Sequence, residues 1–114
     1  MKNSKWDDEE VVLLVDLYFQ IKNNNIQANK VKSQINSLSQ ILIKRAELLG
    51  YNISNTFRND KGIKMKLANI QYIDTNGKLG LSGASNKDRE YVDKYNTDYN
   101  TFVDFAESVK NKYK

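Results

Sequence analysis

The chain has no histidine, no cysteine and no proline among its 114 residues. Without cysteine there are no disulfides, no thiolate nucleophile and no zinc–thiolate site. Without histidine the commonest general base near neutral pH is missing, as is the commonest metal ligand. Carboxylates alone can build a hydrolase, but no close carboxylate pair is legible here. The expectation is therefore a protein that is not an enzyme, with no catalytic residues, no metal site and no cofactor. The lack of proline suits helices joined by flexible, Asn-rich connections. Long apolar runs are missing too. The longest, "VVLLV" at residues 11 to 15, follows four acidic residues and falls far short of the roughly 20 residues that span a bilayer. It is neither a signal peptide nor an anchor, so a soluble cytoplasmic protein with no membrane role is expected.

What is present fits one domain over residues 1–114. Hydrophobic residues make up 39% of the chain, enough to build a core, although a small domain has limited surface to bury. The net charge is +4, and its distribution matters more than its size. From Lys30 to Lys66 stand eight cations (Lys30, Lys32, Lys44, Arg45, Arg58, Lys61, Lys64 and Lys66) and two anions, Glu47 and Asp60. That segment carries +6, which leaves −2 for the rest of a +4 chain. A surface that only maintains solubility mixes its signs more evenly.

Periodicity reads as an all-α domain of four or five helices. Asp7 and Glu10 match a capping box ahead of Val11, Leu14, Val15, Leu17 and Tyr18, giving a helix over about residues 7 to 22. Trp6, just before the cap, is a core anchor in this reading. After the polar "KNNNIQANK", a second helix over about 30 to 49 buries Val31, Ile35, Leu38, Ile41, Leu42 and Leu49, with Gly50 as its terminator. Lys44 and Arg45 answer the dipole at its end or contact a ligand. Residues 51 to 59 form a connection too long for a standard helix-turn-helix. Two shorter helices, about 86 to 95 and 99 to 112, complete the domain, and the basic tail at 110–114 is expected to fray. Phe102 and Phe105 are either covered by the first helix or mark a protein or homodimer interface.

The third helix, about residues 60 to 73, carries the functional expectation. In "FRNDKGIKMKLANIQYID", Ile63, Leu67 and Ile70 recur on one side, while Lys61, Lys64 and Asn69 fall on other faces. Asp60 is the expected N-cap, with Asn59 the alternative. Lysines can pair with phosphates, and Arg58, Asn59 and Asn69 are the side chains suited to reading bases. The candidate DNA contacts are thus Arg58, Asn59, Lys61, Lys64, Lys66 and Asn69. An ordinary surface helix with solubilising lysines is the competing explanation.

The order of motifs resembles the N-terminal domain that precedes the nuclease domain in many HNH endonucleases of the restriction type. The resemblance rests on Trp6 with Glu9 or Glu10, Leu17-Tyr18-Phe19, then Arg58, Asn59, Gly62, Ile63, Met65, Lys66, Leu67 and Asn69. Ile73-Asp74 and Gly80-Leu81-Ser82 follow, so that it covers about residues 5 to 95. It implies a module that recognises double-stranded DNA, in a restriction or phage-defence setting, with Arg58 as the leading contact. The given sequence holds none of the nuclease domain's histidines, so the resemblance implies a recognition module that is non-catalytic by itself: an isolated domain, a truncation or a stand-alone protein. Whether it reads modified bases is open; the tyrosines at 51, 72, 91, 95 and 99 can form a cage or pack in the core. A different expectation is a stand-alone phage or mobile-element protein that inhibits a host defence nuclease by protein contact. The basic middle of the chain argues against DNA mimicry by such an inhibitor.

Overall fold

Capping chemistry sets the helix boundaries. The computed structural model describes residues 5 to 113. Five helices follow one another: α1 (Asp8–Lys22), α2 (Val31–Leu48), α3 (Asp60–Asp74), α4 (Asn86–Thr97) and α5 (Tyr99–Lys112). A single 3-10 turn, Ala28–Lys30, leads into α2, and no strand occurs among the described residues. The Asp7–Glu10 capping box forms with both hydrogen bonds at 3.1 Å. Ser85 and Asp88 build a second box at the start of α4. At the end of α2, Gly50 adopts a φ of +77°; its N–H reaches the Glu47 carbonyl, and that of Tyr51 reaches Ala46. This is a Schellman ending, which requires the left-handed residue that glycine supplies.

α1 is the central helix, and α2, α3, α4 and α5 all pack on it. The sequence alone suggests one apolar stripe, yet Val11, Val12, Leu13, Leu14 and Val15 are all buried. A helix enclosed by four neighbours has no solvent side along that stretch, so consecutive apolar residues fit there. Full burial of each such side chain stabilises by about 1.5–3 kcal/mol. Phe102 of α5 is fully buried and Phe105 packs against the core, so α1 covers the last helix. Tyr95 stacks on Phe19 with ring centroids 3.8 Å apart, and Phe102 meets Tyr95 edge-on at 5.2 Å. Tyr91 and Tyr95 are thus core residues, while Tyr51 and Tyr99 stand exposed.

The chain end corrects an expectation. Residues 110 to 113 are held down: Lys110 pairs with Asp16 at 2.8 Å and Lys112 with Glu9 at 3.0 Å. Tyr113 is buried and donates to Glu9 at 2.9 Å. Charge complementarity with α1, invisible in the local sequence, anchors this segment; residue 114 lies outside the described residues.

The first turn of α1 also gives the fold a pH dependence. A hydrogen bond from Lys87 holds the Asp8 carboxyl below its ordinary range, and Tyr91 adds a second. Burial acts to raise Glu9, but hydrogen bonds from Arg45, Lys112 and Tyr113 outweigh it and leave that carboxyl lowered as well. Both groups hold protons less tightly in the folded chain than in the unfolded one. Their stabilisation is therefore complete above the unfolded value of about 4, and it is lost as pH falls through the lower folded values. Thermal melts should show the midpoint dropping as pH falls below about 5. Asp8→Asn and Glu9→Gln should melt earlier at neutral pH and decline less steeply with acid.

Candidate nucleic-acid interface

The residues before α3 are drawn inward by Glu10. This carboxylate is 2% exposed, and a buried charge needs a partner that also meets its hydrogen-bonding capacity. Arg58 provides it: Nε lies 2.7 Å from Oε2 and Nη2 lies 3.0 Å from Oε1. The guanidinium also sits 4.6 Å from the Trp6 ring centre and 4.5 Å from that of Phe57. Reaching this position puts Arg58 at a φ of +47°, a conformation unusual for a residue with a side chain. Ser39 fixes the same backbone by donating to the Arg58 carbonyl at 2.7 Å. Arg58, the expected leading DNA contact, is thus 5% exposed, with its fork turned toward Glu10.

Three more candidates are engaged in the fold. Asn59, not Asp60, is the N-cap of α3, its Oδ1 accepting from the Gly62 N–H at 2.9 Å. The expectation for Asp60 fails because Asp60 is already the first helical residue, while Asn59 keeps the extended backbone a cap requires. Lys66 pairs with the fully buried Asp88 at 2.6 Å, which ties α3 to α4. Asn69, expected away from the buried side, is buried and donates to the carbonyls of Leu81 and Ser82. That loop lies so close that a Cβ on Gly80 would stand 2.4 Å from the Ala68 carbonyl oxygen. A small polar side chain was read as exposed because periodicity does not reveal a loop folding back over the helix.

Lys61 and Lys64 remain exposed on α3. They border the seam with α2, which runs antiparallel: Ser39 meets Arg58, and Asn36 lies 3.4 Å from Asp60. Further along, Val31 and Lys64 line one groove. Lys32 stands one turn before Asn36 and Lys64 one turn after Asp60, so the antiparallel register brings both to the same stretch of seam. Lys30 directly precedes Val31 in the chain, and both it and Lys32 are exposed. None of Lys30, Lys32, Lys61 and Lys64 forms an ion pair among the described residues. Lys30 and Lys32 were not named as site residues from sequence. Their contribution to the local excess of positive charge was the signal that could have found them.

Among the described residues, no cluster of three or more carboxylates is placed to hold a metal ion. No helix there is long and apolar enough to cross a membrane. No protein-family model, curated protein or solved structure matches the chain.

Substitutions separate the roles of these neighbours. Arg58→Ala leaves Glu10 buried and uncompensated, and should lower unfolding free energy by about 3–5 kcal/mol in denaturant titrations. Asn59→Ala should cost about 0.5–2 kcal/mol as the loss of a cap, and Asp60→Ala less than that.

Proposed function

We propose that this chain binds double-stranded DNA without cleaving it, holding phosphates with the lysines along the α2–α3 seam. The observation that carries the reading is that Lys30 and Lys32 at the start of α2 and Lys61 and Lys64 on α3 are exposed without ion-pair partners among the described residues, whereas Arg45, Arg58, Lys66 and Lys87 are each paired with a carboxylate. Cations that hold the fold together are not available to an anionic partner; these four are. Lysine is a point charge on a flexible stem, suited to phosphates rather than to bidentate recognition of a base edge. The resemblance to the recognition domain of HNH endonucleases supports the same partner. The division of labour differs from the one that the resemblance implies: Arg58, Lys66 and Asn69 support the fold, and in this proposal the seam lysines meet the DNA.

Salt dependence tests this directly. In fluorescence anisotropy with a duplex, affinity should fall steeply with salt. Lys61→Ala combined with Lys64→Ala should flatten the log–log slope by about 0.9 for each phosphate contact removed, with the melting temperature retained. Lys66→Ala should do the opposite, lowering stability by stranding Asp88. A parent protein that binds no duplex at low salt, or a slope the lysine pair does not alter, would refute the proposal.

A further inference from the structure

We infer that the cleft between α2 and the segment at residues 54–60 takes one unstacked, amine-bearing nucleobase. This inference rests on the DNA-binding reading above and deepens it at a cleft that shares Lys61 with the seam. The cleft is shallow and wide open to solvent, with a volume of about 400 Å³, and Lys61 at the end of the lysine seam lines its edge. Gln40 and Asn55 line it. Both are exposed, and neither side chain makes a hydrogen bond among the described residues. Each amide offers an N–H donor and a carbonyl acceptor, the mixture that a base edge presents and a phosphate does not.

Shape and charge narrow the ligand further. Even a shallow depression does not reach edges stacked within a duplex groove, which are read by protruding elements; it can take a base that has left the stack. Asp60 lines the same cleft, held loosely by Asn36 at 3.4 Å. Its carboxylate repels a phosphate but accepts from an exocyclic amine, as acidic side chains do with cytosine N4. Adenine, cytosine and guanine carry such an amine, and thymine does not. Lys61 beside the cleft can hold the flanking phosphate. The unstacked base can come from a single strand or from a disrupted duplex, and both present the same edge.

Anisotropy with short labelled DNAs tests the inference on the full chain. The set is a paired duplex, that duplex carrying one bulged adenine, cytosine or thymine, and a matching single strand. A bulged adenine or cytosine should bind about tenfold tighter than the paired duplex, and a bulged thymine should show no gain. Gln40→Ala combined with Asn55→Ala should remove the gain while the salt slope on paired duplex stays as in the parent. A gain shared by the single strand identifies unpaired DNA as the source; a gain limited to bulges identifies a disrupted duplex. Equal affinity for paired and bulged DNA, equal gain with thymine, or a gain that survives in the double variant overturns the inference and leaves the lysine reading standing. Failure to bind any of these DNAs overturns both.

Discussion

The fold turns on four consecutive carboxylates at the start of the central helix. Asp7 and Glu9 take Arg45 of α2, at 2.6 and 2.8 Å. Asp8 takes Lys87 and Tyr91 of α4. Glu9 also takes Lys112 and Tyr113 at the chain end, and Glu10 takes Arg58 at the entry to α3. Each other helix, or the segment beside it, is thus tied electrostatically to one turn of α1. The same turn carries the capping box, so Glu10 accepts both from the Asp7 backbone and from Arg58. Helix termination, counter-charge and packing converge there. The exposed pairs in this group contribute little individually, but Glu10–Arg58 is buried, and neither partner is tolerable alone.

This arrangement explains which parts of the structure were legible in the sequence. Capping and periodicity are local, and so α1 with its Asp7–Glu10 box, the Gly50 ending and the five-helix architecture could be read from neighbouring residues. The partner of Arg58 is 48 positions away. A cation beside a basic helix looks the same in sequence whether it faces solvent or a buried glutamate, and the acidic run looked sufficient as a cap. Asn69 was obscured in the same way by the loop at Gly80, and the chain end by its contacts with Glu9 and Asp16. These three misplacements share one cause, since long-range ion pairs and hydrogen bonds leave no periodic trace; the α3 cap, at Asn59 and not Asp60, differs by one residue for a local reason, the backbone conformation.

The positions on which the HNH-domain resemblance rests acquire a physical meaning in this light. Trp6 and Arg58 stack, Asn59 caps, Gly62 receives the cap, Ile63 is fully buried, Lys66 neutralises Asp88, and Asn69 holds the loop that Gly80 allows to approach. Such a motif specifies an architecture: how α3 is seated against α1, α4 and the following loop. It does not by itself specify a ligand. The proposed DNA contacts are accordingly taken from side chains that these positions leave unengaged, Lys61 and Lys64 among them.

Seating and surface are nevertheless linked through Arg58. Its side chain is locked to Glu10, while its carbonyl accepts from Ser39 on α2, so one residue sets the position of α3 relative to both neighbours. Lys61 and Lys64 extend from the helix that begins two residues later. Like charges gathered on a seam repel one another, which opposes folding, and a flexible seam would relieve the strain by splaying. The buried Arg58–Glu10 pair and the Ser39 hydrogen bond resist that movement, keeping the lysines together before any anion arrives. In the proposed DNA-binding role, a seam held in this way requires little reorganisation of the backbone, and the ordering entropy left to supply is mainly that of the lysine stems.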